Sequence, residues 1–150
     1  MLYADVEALV NPVNTVGVMG KGLALRFRNR FPANFRAYAA ACASGEVQAG
    51  RVFVFQMPFP ASPRWIVNLP TKRDWRADSL LGDIEAGLDD LKRVITELEI
   101  RSIAIPALGC GLGGLEWSEV EPLIVDRFSK GTVKVVLFGP QQDNPSPGAP

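Results

Sequence analysis

The chain of 150 residues has no histidine. This excludes Ser-His-Asp and Cys-His machinery and nearly all catalytic zinc sites, and no metal site is expected. Any catalyst must therefore be a lysine, a carboxylate, a cysteine, a backbone cradle or the substrate itself. Cysteine is scarce: Cys42 and Cys110 lie far apart in sequence. There is no signal peptide and no long apolar run, so a cytoplasmic protein without membrane contact is expected. An excess of charge is also lacking, because 16 Lys and Arg balance 16 Asp and Glu. No global basic field advertises duplex nucleic acid, although a small site for a modified nucleotide remains compatible with neutrality. One domain is expected at this length, with about 68–70% of the unfolded surface buried.

Glycine is well supplied, and its placement organises the chain. An apolar strand over 8–13 leads into Gly17-Val18-Met19-Gly20-Lys21-Gly22, and a helix is predicted from Leu23. A strand, a glycine loop and a helix together make a phosphate cradle. Glycines let several N–H groups converge on one anion, and the helix N-terminus adds partial positive charge. Asn11 and Asn14 stand at the strand end, with donors and acceptors suited to ribose hydroxyls. The loop is not a Walker motif, since Thr15 and Gly22 occupy two of its required positions. Nor is it a dinucleotide fingerprint, because Leu25 stands where the third glycine belongs. A ligand-free turn would not require three glycines within six residues.

Further along, the pattern predicts helices over 23–29 and 33–43, the second closed by Gly45. Strands are expected over 52–55 and 65–69, flanking a proline-rich loop. A polar loop over 70–76 precedes a long helix over 80–99, with Asp78 or Ser79 as its N-cap. A strand over 102–105, a second glycine loop, a helix over 118–128 and a strand over 133–138 complete the ordered part. Residues 139–150 are proline-rich and read as a disordered tail or linker, so the domain spans 1–138. Strands alternate with helices and several are apolar on both faces. That indicates an α/β fold with a largely parallel sheet covered on both sides. Ligands bind beyond the carboxyl ends of such strands, where both glycine loops and the Lys72 loop can meet.

The second loop, Gly109-Cys110-Gly111-Leu112-Gly113-Gly114, matches G-x-G-x-x-G literally. A Rossmann unit would place it early, with an acidic residue about 20 positions on. Here it comes late, and Lys134 and Val135 stand in that region. Two glycine loops on one sheet instead suggest one ligand whose diphosphate is gripped from both sides. ADP-ribose is such a ligand.

These residues resemble macrodomains, which bind ADP-ribose on a three-layer α/β/α sandwich with a mixed sheet. V-N-T-V-G-V-M-G-K-G-L-A-L, N-L-P-T-K-R-D-W-R and P-A-L-G-C-G-L-G-G-L-E-W occur in order. Together they look like the macrodomain of DarG antitoxins, which remove ADP-ribose that a DarT toxin places on thymidine in single-stranded DNA. The resemblance covers about 2–138. It implies a hydrolase with ADP-ribose as ligand and no cofactor. The implied partners are ADP-ribosylated single-stranded DNA and a DarT-type toxin, and a monomer is expected. Lys72 would be the catalytic lysine. Binding would fall to Asn11, Asn14, Thr15, Gly17, Val18, Met19, Gly20 and Gly22 on one side, with Asn14 on the distal ribose. Gly109, Cys110, Gly111, Leu112, Gly113 and Gly114 would hold the other side, and Trp75 the rim.

Related glutamate-specific macrodomain hydrolases carry an aspartate in the second loop, in a G-C-G-L-D pattern, where this chain has Gly113. Relatives also begin several residues earlier with an adenine-reading aspartate, so that contact is expected to be missing. DarG proteins carry a further C-terminal, toxin-engaging domain, so this chain is read as an excised domain or a stand-alone relative. The alternatives are a hydrolase of ADP-ribosylated glutamate or O-acetyl-ADP-ribose, and a non-catalytic ADP-ribose-binding module.

By chemistry, Lys72 can assist the leaving base as an ammonium or attack ribose C1″ as an amine. Neighbouring cationic charge from Arg73 and Arg76 favours the second role. From spacing alone Lys72 also reads as a solvated loop lysine. Trp75, beside Arg73 and Arg76, reads either as a base-stacking platform or as a rim aromatic packed on the sheet. Cys110 reads as a small residue beside a diphosphate rather than a nucleophile, since an anionic ligand disfavours thiolate. Asp74 reads as solvated, and Lys21 as a loop-surface residue.

Overall fold

A computed structural model describes residues 1–140. The order of elements is β1 (Ala8–Val13), α1 (Gly22–Arg30), α2 (Pro32–Ala43), β2 (Phe53–Gln56), β3 (Trp65–Pro70), α3 (Leu81–Glu97), β4 (Ser102–Ile105), α4 (Trp117–Phe128) and β5 (Lys134–Leu137). The five strands form one sheet in the order β2-β3-β1-β4-β5. β1 runs parallel to β3 and β4, β4 runs parallel to β5, and β2 is antiparallel to β3. The mixed, largely parallel sheet expected from the sequence is the one observed.

Strand alternation divides the core between the two faces. Ala8, Val10, Val67, Leu69, Ile103, Ile105, Val135 and Leu137 pack with Ile84, Leu88 and Leu91 of α3 and Val120 and Ile124 of α4. The intervening Leu9, Ile66 and Ala104 pack with Phe27 of α1 and Phe31. Val13 meets Tyr38 and Ala41 of α2 and Met19 of the first glycine loop. The side-chain period of two thus produces an α/β/α sandwich.

Local signals explain most boundaries. Pro32 opens α2, where its missing N–H costs nothing. Gly45, at φ +79°, closes the helix. Its N–H donates to the Cys42 carbonyl while that of Glu46 donates to Ala41, a Schellman arrangement. Gly87 allows α3 to press on the sheet, since a Cβ there would lie 3.0 Å from Leu69 Cδ2.

The start of α3 corrects the sequence reading. Neither Asp78 nor Ser79 caps it; Leu80 is the N-cap residue and no side chain bonds the first turn. Ser79 instead turns to the second glycine loop, its N–H donating to the Gly113 carbonyl at 2.9 Å. Among the described residues no helix is long and apolar enough to cross a membrane. Of the expected tail, 141–150 lie outside the described residues, whereas Gly139 and Pro140 line the cleft described next.

Candidate active site

The path of the chain puts the cleft at the carboxyl ends of β1, β3 and β4. After β1 it passes to the β2–β3 side, and after β3 it crosses by α3 to β4, leaving β1 between its two parallel neighbours. Ligands bind at such a switch point. A cleft of about 570 Å³ opens there, within the range of small-molecule sites. Both glycine loops and the Lys72 loop contribute to its wall, as expected.

The first loop is built around Asn14. Its Oδ1 accepts from the N–H groups of Val16, Gly17 and Val18 at 3.1, 3.1 and 3.3 Å and from the Tyr38 hydroxyl at 2.8 Å. Its Nδ2 donates to the Val18 carbonyl at 2.7 Å. The side chain expected on the ribose is thus committed to folding the loop. The Tyr38 hydroxyl also donates to the Asn14 carbonyl, and burial pushes its pKa far up, so it stays protonated. Beyond Val18, the N–H groups of Met19, Gly20 and Lys21 have no hydrogen-bond acceptor among the described residues. α1 follows with Lys21 as N-cap residue and no side-chain cap. A run of backbone donors and a bare helix N-terminus therefore meet the cleft through Gly20, Gly22, Leu23 and Ala24.

The second loop faces the first. Within it Cys110 N–H bonds the Ala107 carbonyl, Gly114 N–H bonds Gly111, and Leu115 N–H bonds Gly109. The N–H groups of Gly111, Leu112 and Gly113 have no acceptor among the described residues. Leu112, 64% exposed, closes over the gap, its Cδ1 4.0 Å from the position of a Cβ on Gly22. Two sets of convergent N–H donors on opposite walls suit an anion with two phosphates.

Gly113 is held in place by packing. A Cβ there would overlap Ser79 Oγ and lie 2.5 Å from the Gly109 carbonyl oxygen. Ser79 is buried and its hydroxyl has no hydrogen-bond partner among the described residues. The departure from the G-C-G-L-D pattern is therefore a feature of this packing, with no room for an aspartate.

The third wall is the segment after β3. Thr71 N–H donates to the Val13 carbonyl at 2.8 Å, while Thr15 N–H and Oγ1 reach the Arg73 carbonyl at 3.3 and 2.6 Å. These bonds tie the lysine loop to the first glycine loop. Lys72 lines the cleft, and its Nζ donates to the Trp75 carbonyl at 3.3 Å. Trp75 also lines it, 49% exposed, with the Arg76 guanidinium 5.4 Å from its ring centre. Both arginines beside Lys72 are themselves ion-paired. Arg73 forms a two-pronged pair with Asp83, and Arg76 one with Asp74, whose carboxyl it holds down at about 2. Asp74 is thus an ion-paired residue rather than merely a solvated one. Burial first, and then Glu116, push the Cys110 thiol up to about 11, which agrees with a non-nucleophilic role.

Five of the expected residues are not in the cleft wall. Asn11 is fully buried, its Nδ2 donating to Asn68 Oδ1 at 3.0 Å and to Met19 Sδ at 3.8 Å. Asn68 in turn exchanges hydrogen bonds with Asn34 of α2. This asparagine cluster supports the loop from behind through Met19, which is itself buried. Thr15 serves the loop junction, Gly17 packs near Cys42 of α2, and Gly114 lies near Asp78. Residues missed by the sequence reading include Lys21 and Arg26, Thr71, Pro106 and Ala107, and Phe138. Pro106, Ala107 and Phe138 follow strand ends and were open to the rule about carboxyl ends; Arg26 carried no comparable signal.

Comparison with known proteins agrees with this geometry. The Macro domain family matches residues 10–124, and the chain belongs to that family. It is 52% identical over 141 residues to a DNA ADP-ribosyl glycohydrolase of Mycobacterium tuberculosis, covering 93% of this chain and 40% of that protein. The solved macrodomain of Mycobacterium tuberculosis DarG superposes with a TM-score of 0.91 at 52% identity, with 93% of each chain covered. Thermosipho africanus DarTG, solved in complex with ADP-ribose, superposes with a TM-score of 0.86 at 36% identity, covering 98% of this chain and 41% of that one. The chain thus spans about 40% of the length of the Mycobacterium tuberculosis glycohydrolase.

Proposed function

We propose that this chain is a DarG-type macrodomain that hydrolyses ADP-ribose from thymidine in single-stranded DNA, reversing a DarT-type toxin in the cytoplasm as a monomer. The observation that carries the hydrolase reading is Lys72, in the wall of a cleft whose two other walls present free backbone donors. The named activity of the relative and the resemblance to DarG carry the substrate.

The diphosphate fits between the two loops, with Gly20 and the α1 N-terminus on one side and Gly111 to Gly113 on the other. That leaves the distal ribose and its C1″–N bond toward Lys72. In hydrolysis the C1″–N bond breaks, a water oxygen bonds C1″, and a proton passes to the thymine nitrogen. Charge grows on the leaving base. In the acid role, Lys72 Nζ donates one N–H to the Trp75 carbonyl in a hydrogen bond and has its others to offer that base. A second reading, hydrolysis of ADP-ribosylated glutamate, loses support because Ser79 and the Gly109 carbonyl exclude an aspartate at position 113.

The test is incubation of the chain with single-stranded DNA carrying ADP-ribose on one thymidine, beside Lys72→Ala. Release of ADP-ribose by the unsubstituted chain alone supports the reading. Equal release by both removes Lys72 from the chemistry. Binding of free ADP-ribose without release by either reduces the chain to a binding module.

A further inference from the structure

The net charge of zero conceals an uneven distribution. From Ala8 to Gly45 there is no aspartate or glutamate, while Lys21, Arg26, Arg28, Arg30 and Arg36 all fall in that stretch. All five are exposed and lie on or beside α1 and α2, in one helical layer of the sandwich. Elsewhere arginines are ion-paired: Arg73 to Asp83, Arg76 to Asp74, Arg93 to Asp90 and Glu97, and Arg127 to Asp89. The arginines beside Lys72 are thus neutralised. Lys21, Arg28, Arg30 and Arg36 face no described carboxylate at ion-pair distance.

We infer that the α1–α2 face is a track for the phosphate backbone of a single DNA strand leaving the cleft. The inference rests on the DNA substrate proposed above. It begins at the cleft itself, because Lys21 and Arg26 line its wall. Lys21 and Arg28 are seven residues apart, two helical turns or about 10 Å, on one side of α1. Arg28 then stacks over the Phe35 ring at 4.3 Å, next to Arg36 on α2. Arg30 lies 4.1 Å from the ring centre of the exposed Tyr3. Flat guanidinium–aromatic pairs beside unpaired cations offer stacking and phosphate contacts without base selectivity. The opposite rim repels a polyanion: Asp78 sits near Gly114, and Glu116 follows the second loop. A strand whose modified base is held at Lys72 therefore leaves over α1.

The test uses fluorescence anisotropy with a labelled oligothymidylate of about 20 nucleotides, measured across salt concentrations. The double variant Arg28→Gln/Arg36→Gln should bind it about tenfold more weakly, with a salt slope lower by about 1.4 for two lost contacts. Its affinity for free ADP-ribose should match that of the unsubstituted chain, which also reports intact folding. Its kcat/KM should fall on ADP-ribosylated oligonucleotide and hold on ADP-ribosylated thymidine mononucleotide. Lys92→Gln/Lys130→Gln, on the other helical layer, makes the same change in net charge and should leave oligonucleotide binding unaltered. Equal binding and salt slope for the α1–α2 variant, or an equal loss in the control, overturns the track. If no protein releases ADP-ribose from DNA, the hydrolase reading fails, while anisotropy still decides the surface.

Discussion

Ser79 Oγ occupies the space that a side chain at Gly113 would need. The two residues come from different connections, one after β3 and one after β4, and the Ser79 N–H clamps them by donating to the Gly113 carbonyl. The loop whose Gly111, Leu112 and Gly113 N–H groups have no acceptor among the described residues is thereby held in one conformation from behind.

Gly113→Ala should therefore cost about 1–3 kcal/mol, the usual range for overpacking, and weaken ADP-ribose binding. Ser79→Gly should relieve only part of this, because the Gly109 carbonyl still faces position 113. A double-mutant cycle read by urea denaturation checks it. Full additivity would mean that the two residues do not touch.

Lys72→Ala should lower kcat by about 10²–10⁴-fold, the range for a removed general acid, with ADP-ribose affinity nearly intact. Borohydride added during turnover should leave the mass of the unsubstituted chain unchanged. A mass increase on Lys72 would replace the proton-donor role with covalent attack.

Asn14→Ala strands three loop N–H groups, while the Tyr38 hydroxyl keeps the backbone carbonyl of position 14, and should cost about 3 kcal/mol. Tyr38→Phe removes one donor and should cost about 1 kcal/mol. Thermal unfolding and calorimetric titration of ADP-ribose give both numbers. Loss of affinity in Asn14→Ala with unchanged stability would restore a direct ribose contact.

Cys110 should alkylate slowly at neutral pH. Its pKa is raised from 9.0 to about 11, so the thiol form persists where a free cysteine has ionised. Below both values Cys110 therefore holds about a hundredfold less thiolate than a free cysteine. The rate should climb with pH until it approaches that raised value. Iodoacetamide kinetics in a Cys42→Ser background measure it, and a rate equal to that of free cysteine would contradict the burial.

Much of this molecule was legible locally. The apolar runs gave β1 and β4 with the boundaries expected, since period and composition report strands directly. The glycines marked both loops because backbone convergence needs them. The cap of α3 was misread for a related reason: Ser79 has the right chemistry for a cap, but a tertiary contact claimed it first.

From the residues alone came the elements and the two glycine loops, set by spacing over a few residues, whereas Lys72 was singled out by the resemblance of its motif. Tertiary structure decided which polar groups remain for a ligand. Asn11 is taken by Asn68, Asn14 by its own loop and Tyr38, and Arg73 by Asp83, partners up to 57 positions away. A polar group has a limited hydrogen-bonding capacity, and which partners fill it depends on what the fold brings within about 3 Å.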